Sequence, residues 1–340
     1  MTSILVSDPT LRDGNHAVAH QLTEAQIAAY CRAADAAGIP VVEVGHGNGL
    51  AASSLQLGLA RVSDADMIRV ARANLQRSRL GVFVIAGFGT IKRDLGPAID
   101  LGAEVVRVGS HCTEADTTLR HLTYARERGC AAYGNLMMSH MAEPETLREE
   151  ARKMADAGAQ GVVLMDSAGA LLPDEVRRRI DVMVQGLDIA VGFHAHNNLG
   201  MAVANSVAAL EVGATIVDGT ARGFGAGAGN TQLEVLVGVL HKLGYETGID
   251  LYKVLELSDL AEEQILETVP VVRSGSIVSG MAGVVSTFAK PAARISRQFG
   301  VDARDLFFEL GRRKVVAGQE DIIIEVAKEL AAKAAEEVAA

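Results

Sequence analysis

Two histidines, His194 and His196, stand one residue apart at the end of the apolar run IAVGFHAH, which begins at Ile189. The chain contains only nine histidines. Because residues i and i+2 of a β-strand point to the same face of a sheet, the two imidazoles converge if this run is a strand. Converging imidazoles are typical of a metal site that takes a third ligand from elsewhere in the chain.

The carboxylate that could complete such a site is Asp13, in the segment DPTLRDGNHAVAHQ. Two neutral imidazoles and one carboxylate leave coordination positions open for water or substrate, which is typical of a catalytic metal site. The ligand types are compatible with Zn²⁺, Mn²⁺, Fe²⁺ or Co²⁺. The alternative is structural: Asp13 would cap a turn before Gly14, and the histidines would only form hydrogen bonds.

Arg12 and His16 stand beside this carboxylate in the sequence. A buried guanidinium needs a partner, so Arg12 either pairs with Asp13 or Glu43 or faces an anionic substrate, where it would stabilise developing negative charge. An imidazole with its ordinary pKa of about 6.5 is suited to general acid or base catalysis. His16 is therefore a candidate catalytic base, with a solvated loop histidine as the alternative.

Charged and polar residues also interrupt other apolar runs of the sequence. Glu43 and Arg107 are predicted to pair with each other, because buried charges must be compensated, and a supporting role behind the site is the alternative. Ser167, in the segment LMDSAG, could hold a substrate carboxylate or, together with Asp166, form a turn. The run RGFGAGAGN at 222–230 lacks the lysine of a phosphate-binding loop and is predicted to be a tight turn that approaches the site.

Eight short runs rich in valine and isoleucine must position these residues. The runs begin at Ile4, Pro40, Leu80, Glu104, Ala131, Gly161, Ile189 and Thr215. Amphipathic segments separate them, including one that we expect Thr23 to cap. Eight such units in about 245 residues predict an α/β fold, a (β/α)₈ TIM barrel, in which chemistry lies at the carboxyl ends of the strands. A doubly wound open sheet is the alternative.

The pattern becomes helical after Leu243. The last segment, EDIIIEVAKELAAKAAEEVAA, predicts a helix with an apolar face formed by Ile322, Ile323, Val326 and Leu330. We predict a TIM-barrel catalytic domain over residues 1–260 and a small C-terminal helical domain over residues 261–340. The helical domain would pack on the barrel or on a partner subunit.

Composition and charge exclude several classes of function. The 340 residues carry a formal net charge of −10 without a basic cluster, which argues against a nucleic-acid partner. No apolar run approaches the roughly 20 residues that span a bilayer, so we expect no membrane segment. The first residues lack the pattern of a secretory signal, which favours a cytoplasmic protein. The three cysteines have no metal-binding spacing, and we expect them to be reduced.

Six motifs occur in a single order along the chain. They are DPTLRDG, EVGHGNGL, GSHCTEAD, MDSAG, HAHNNLG and GAGAGNTQLE, and the ending FELGRRKVVAGQEDIIIEVA extends the pattern over nearly the whole sequence. Together they resemble the 4-hydroxy-2-oxovalerate aldolase family, within the superfamily of metal-dependent pyruvate aldolases and acyl-CoA lyases. The resemblance implies a class II aldolase that cleaves 4-hydroxy-2-oxo acids to pyruvate and a short aldehyde, and also catalyses the reverse addition.

The same resemblance implies roles for individual residues and partners. Asp13, His194 and His196 match the metal ligands, Arg12 the arginine that stabilises the enolate, His16 the catalytic base, and Ser167 a position that contacts pyruvate. The metal implied is Mn²⁺, with Mg²⁺, Co²⁺ or Zn²⁺ as alternatives. Family members commonly form a complex with an acylating aldehyde dehydrogenase, which would here be a separate subunit, and we expect an oligomer.

The sequence departs from the family pattern at three positions. Where the family commonly has a segment like YAGVYSSF, this chain has MAGVVSTF, with Met281 and Val285 in place of tyrosines, and Asn48 replaces an aspartate. Loss of a tyrosine hydroxyl predicts relaxed stereochemical control at C4 or a bulkier aldehyde. The rival functions are an acyl-CoA lyase or condensing enzyme, which the lack of a basic cluster disfavours, and a non-catalytic scaffold subunit, which the intact candidate residues disfavour.

Overall fold

Eight parallel strands close into a barrel in a computed structural model, which describes residues 4–316 and 318–339. Each strand pairs with its neighbours in sequence, and β1 pairs with β8 to complete the closure. The prediction of a (β/α)₈ barrel is therefore confirmed. The strands β1 to β8 are Leu5–Leu11, Val41–Val44, Arg79–Ile85, Val105–His111, Ala131–Met137, Gly161–Asp166, Ala190–Ala195 and Ile216–Asp218.

One α-helix follows each strand and covers the outside of the barrel. These helices, α1 to α8, are Glu24–Ala37, Asp64–Asn74, Gly96–Asp100, Leu119–Glu127, Pro144–Asp156, Pro173–Gly186, Ala202–Glu211 and Leu233–Lys242. The predicted cap of α1 is present: the Thr23 side chain accepts a hydrogen bond from the Gln26 backbone, and the Gln26 side chain accepts one from the Thr23 backbone. Such caps fix where each helix begins relative to the strand before it.

The inside of the barrel is layered. At the amino ends of the strands, the interior is apolar and includes Leu5, Val41, Val105 and Tyr133. Two residues further along β2 and β4, the buried inward-facing side chains are the charged Glu43 and Arg107. These residues face the interior because alternate residues of a strand share a face. The charged layer lies between the apolar layer and the carboxyl ends of the strands, where the candidate site is predicted.

The remaining helices follow the barrel. They are α9 (Leu251–Gln264), α10 (Ser274–Ala282), α11 (Ala289–Phe299), α12 (Ala303–Arg312) and α13 (Ile322–Ala339). Helix α9 packs against α1 and α8 of the barrel. Helices α10 to α13 bury an apolar core of their own, which includes Phe288, Phe307 and Ile323. The division of the chain at residue 260 stays a prediction.

The C-terminal helices also contact the candidate site's side of the barrel. The backbone N–H of Ser286 donates to the Ser167 carbonyl, and its hydroxyl accepts a hydrogen bond from the Asn198 side chain. The Lys290 ammonium donates to the His16 carbonyl at 3.0 Å. Within the described ranges, none of the helices combines the length and hydropathy that a membrane crossing requires.

Candidate active site

Three of the predicted residues directly follow the β1 strand, at the mouth of the barrel. Arg12 follows the last residue of β1, and a short 3₁₀ helix, Asp13–His16, begins there. Arg12 and Asp13 are buried and His16 is half-buried. Neither Asp13 oxygen accepts a hydrogen bond from the backbone of this turn, because the Arg12 and Asn230 side chains occupy them. The structure therefore does not support a turn-capping role for Asp13.

His194 and His196 come together with Asp13 at the end of β7. One potential ligand atom from each of the three residues lies within 4.8 Å of the other two, and all three residues are buried. The two imidazole rings are 5.3 Å apart between centroids. The structure thus brings together the three side chains that the sequence singled out as a ligand set.

The donor atoms of this cluster suit a divalent metal ion. His194 Nε2 and His196 Nδ1 are buried and have no hydrogen-bond partner among the described residues. Because buried polar atoms are nearly always paired, these two nitrogens indicate a missing partner. Burial lowers the pKa of His196 to about 4, so its ring is neutral near pH 7 and able to bind a metal.

The surroundings of Asp13 keep its side chain ionised. Burial opposes ionisation, but the Arg12 guanidinium and the neighbouring imidazoles outweigh it and keep the pKa of Asp13 below its ordinary value. Two neutral imidazoles and an ionised carboxylate are the ligand types of catalytic sites for divalent transition metals. The chemistry of the donor set and its unpaired nitrogens both fit such an ion.

Arg12 both pairs with carboxylates and keeps a free donor. Its Nη1 lies 2.9 Å from Asp13 Oδ1, and its Nε lies 3.0 Å from Glu43 Oε2. The guanidinium stacks over the Phe83 ring at 4.5 Å. Its Nη2 is buried and has no hydrogen-bond partner in the described part of the chain. The two pairings fix the guanidinium and leave the N–H groups of Nη2 available to a substrate oxygen.

A layer of paired charges lies behind the candidate ligands. Arg107 forms ion pairs with both Glu43 and Asp218, and Asp218 Oδ2 lies 2.8 Å from His194 Nδ1. The predicted pairing of Glu43 with Arg107 is confirmed. Hydrogen bonding to Asp218 fixes the orientation of the His194 ring and leaves Nε2 free to bind a metal ion.

His16 lies in a cluster of imidazoles at the edge of the site. Its ring is 4.9 Å from that of His20 and 6.3 Å from that of His46, which stack on each other at 3.7 Å. Burial lowers the pKa of His16 to about 4, and the nearby Asp13 carboxylate only partly offsets this. His16 is therefore neutral near pH 7, the form that a catalytic base requires.

Ser167 lies beside the β6 end of the site. Its hydroxyl accepts a hydrogen bond from the Met138 backbone at 3.0 Å, and the residue is 7% exposed. The Asp166 carboxylate accepts hydrogen bonds from the backbones of Ala170 and Leu171, which is the predicted turn-forming role. The role of Ser167 toward a substrate stays a prediction.

Sequence reasoning missed two residues that touch the ligand set, Asp218 and Asn230. Asn230 closes the glycine-rich loop after β8, and its amide donates to Asp13 Oδ2 and to the Phe224 carbonyl. Gly223, Gly227 and Gly229 of this loop all have positive φ, so the tight turn that the glycines predicted is present. Asn230 could have been found from the sequence, because it is a polar residue at the end of a glycine run that was predicted to approach the site.

The chain matches a family model described as HMGL-like over residues 3–261 and a DmpG-like communication domain over residues 270–332. With its closed barrel and buried Asp-His-His cluster, it is a barrel of the HMGL-like class. A solved structure, the N-terminal domain of a putative aldolase from Bacteroides vulgatus, matches at 21% identity with a TM-score of 0.73. That match covers 87% of this chain and 97% of the other, and it shows the fold alone.

Two relatives share far more of the sequence. Proteins from Spirochaeta aurantia and Pectobacterium atrosepticum, both named 4-hydroxy-2-oxovalerate aldolase, are each 60% identical over 328 residues. In each case the match covers 96% of this chain and 96% of the relative. The chain therefore belongs to the 4-hydroxy-2-oxovalerate aldolase family, and the resemblance seen in its motifs is confirmed.

Proposed function

We propose that this protein is a class II aldolase, which is a carbon–carbon lyase. It cleaves 4-hydroxy-2-oxo acids such as 4-hydroxy-2-oxovalerate to pyruvate and a short aldehyde, and it also catalyses the reverse addition. One observation carries the proposal: the buried cluster of Asp13, His194 and His196 lies next to the free Nη2 of Arg12. The family membership supplies the substrate class.

Asp13, His194 and His196 would hold the metal, and we propose Mn²⁺, with Mg²⁺, Co²⁺ or Zn²⁺ as alternatives. When bound, the ion would act as a Lewis acid that polarises the 2-oxo group of the substrate. Counting ionised side chains, Asp13, Glu43 and Asp218 outnumber Arg12 and Arg107 by one negative charge. A divalent ion would change this local balance to plus one, which suits a monoanionic oxo acid.

His16 is the proposed base. The neutral imidazole takes the proton of the 4-hydroxyl group, the C4–O bond becomes a carbonyl, and the electrons of the C3–C4 bond move toward the 2-oxo group. The aldehyde leaves, and the remaining enolate of pyruvate takes a proton at C3. Burial lowers the pKa of His16 to about 4, so the ring is unprotonated at neutral pH and can accept a proton.

Arg12 is proposed to stabilise the negative charge that develops on the C2 oxygen. Its ion pairs with Asp13 and Glu43 fix the guanidinium before substrate binds, and its unpaired Nη2 can donate to that oxygen. Donors fixed in advance stabilise charge in a transition state better than flexible ones. Ser167 is proposed to contact the pyruvate half from the β6 end of the site.

Val285 is proposed to widen the aldehyde half of the site. It is buried and precedes Ser286, whose backbone and side chain contact the Ser167 and Asn198 loops, whereas Met281 is 64% exposed on α10. Of the two positions where the family commonly has tyrosine, Val285 is therefore the one placed next to the site's loops. Relaxed stereochemical control at C4 or a bulkier aldehyde follows from this position.

We also propose that the helical region after residue 260 contacts an acylating aldehyde dehydrogenase as a separate subunit, within a larger oligomer. The match to a communication domain over residues 270–332 supports this. Gel filtration of the protein mixed with such a dehydrogenase tests it: co-elution is expected, and separate elution at all concentrations would contradict it.

Exchange of the pyruvate methyl protons tests the catalytic proposal without an aldehyde. In D₂O with Mn²⁺, the wild-type protein should exchange these protons through the enolate, which removes the methyl signal from the proton NMR spectrum. Asp13→Asn, which keeps the side-chain shape but removes the charged ligand, should exchange far more slowly. Equal exchange by folded wild-type protein and Asp13→Asn would contradict the proposed site.

A further inference from the structure

A continuous chain of ion pairs, which ends in a hydrogen bond between a carboxylate and an imidazole, crosses the barrel interior below the candidate site. It leads from Arg12 through Glu43, Arg107 and Asp218 to His194, and so connects residues on or next to five of the eight strands. Each of the five side chains is at most 3% exposed. Both ends of the chain are residues of the proposed catalytic machinery, and the middle lies below it.

Arg107 is the branch point of this chain. Its Nη1 donates to Glu43 Oε1 and, at 2.8 Å, to Asp218 Oδ2. Each carboxylate also contacts the site: Glu43 Oε2 accepts a hydrogen bond from Arg12 Nε at 3.0 Å, and Asp218 Oδ2 is hydrogen-bonded to His194 Nδ1 at 2.8 Å. Glu43 Oε1 in addition accepts one from the Ser7 hydroxyl. Removing the guanidinium would leave two buried carboxylates without their shared positive charge.

We propose that Arg107 is a positioning residue for two groups of the site. It orients Arg12 through Glu43 and the His194 ring through Asp218. Partners behind a ligating histidine fix its ring orientation and its tautomer, and their loss weakens metal binding. The part of the proposal that concerns Arg12 rests on the proposed function. The part that concerns His194 can be measured as metal binding without any substrate.

A simpler role for Arg107 would be to neutralise Glu43 and Asp218 without orienting them. Arg107→Lys separates the two roles because lysine keeps the positive charge but replaces a planar fork, which is itself held by a hydrogen bond to the Asn135 side chain, with a flexible ammonium. If only charge matters, the variant behaves as wild type. If the fork sets geometry, the variant changes both metal binding and turnover.

The chain offers a matched control in Arg179 on α6. This arginine is also buried, and it donates to the backbone carbonyls of Ser139 and Glu175 rather than to the ion-pair chain. We expect Arg107→Lys to raise the Kd of the metal-stripped protein for Mn²⁺ by about 10-fold to 100-fold, with a lower kcat for pyruvate release. Arg179→Lys should change neither quantity. Circular dichroism and thermal unfolding monitor the fold.

Two isosteric variants keep the proposal testable if Arg107→Lys does not fold. Asp218→Asn should weaken Mn²⁺ binding, because it loosens His194, and Glu43→Gln should lower kcat more than it changes the Kd for Mn²⁺, because it loosens Arg12. Mn²⁺ affinity and kcat close to wild type in Arg107→Lys, or in both amide variants, would overturn the proposal. If wild-type protein binds Mn²⁺ but releases no pyruvate, the proposed function fails, whereas the comparison of Kd values still tests Arg107.

Discussion

At the scale of single residues, Arg12 combines fixed contacts to two carboxylates with an unpaired Nη2. Arg12→Lys should retain a positive charge, but its single nitrogen cannot occupy the separate positions of Nε, Nη1 and Nη2. We expect kcat for pyruvate release to fall about 100-fold, in line with the loss of one fixed donor to an oxyanion. Steady-state kinetics with saturating Mn²⁺ measures this. Near-wild-type turnover by a folded, Mn²⁺-loaded variant would show that Arg12 does not stabilise the enolate.

His16 gives the proposed mechanism a characteristic pH dependence. Its pKa is lowered to about 4 by burial, so it is neutral and able to accept a proton above that pH, and it is protonated and inactive below it. The logarithm of kcat/KM should therefore be level from about pH 5 to neutral pH and fall as the pH decreases through about 4. His16→Gln should lower kcat/KM by about 100-fold or more. A break near pH 6.5 would instead indicate a solvated histidine.

Val285 provides a test of substrate specificity with an internal control. Val285→Tyr should restore a hydroxyl next to the loops of the site, and we expect it to favour one enantiomer of a racemic 4-hydroxy-2-oxo acid. Met281→Tyr changes an exposed side chain on α10 and should have no such effect. Chiral chromatography of the unreacted substrate measures the preference. Strict use of a single enantiomer by the wild-type protein would contradict the relaxed stereochemical control.

At the scale of elements, the loop after β8 sets the position of Asn230. Gly229 has a φ of +87°, and a Cβ atom there would lie 2.0 Å from the Gly223 carbonyl oxygen. Gly229→Ala should therefore displace the loop and Asn230, and so weaken Mn²⁺ binding through Asp13. Gly238→Ala is the control, because a Cβ on this helical glycine meets nothing within 4 Å. Equal Mn²⁺ affinity in both variants would show that the loop does not support the ligand set.

The ends of the strands were the most predictable part of the structure. Apolar runs bounded by polar residues fixed β1 and β7, and thereby placed Asp13, His194 and His196 at one mouth of the barrel. The partner of His194 was not predictable in the same way. Asp218 ends an ordinary short strand, and its contact with His194 depends on the register between β7 and β8, which no local pattern encodes.

At the scale of the whole molecule, two apolar cores meet at the catalytic face. The C-terminal core includes Met138 from the loop after β5, and Ser286 and Lys290 contact loops that follow three different strands. The helical character of this region followed from the sequence, notably the apolar face of α13. Its contacts with Ser167, Asn198 and His16 could not be predicted from the sequence, because they join residues far apart in the chain.

We propose that a divalent metal held by Asp13, His194 and His196 drives aldol cleavage. The most direct test measures pyruvate release from racemic 4-hydroxy-2-oxopentanoate by the metal-stripped protein, with and without added Mn²⁺. Pyruvate release should depend on Mn²⁺ and be lost in Asp13→Asn. A folded protein that binds Mn²⁺ and releases no pyruvate would disprove the proposed metal-dependent cleavage.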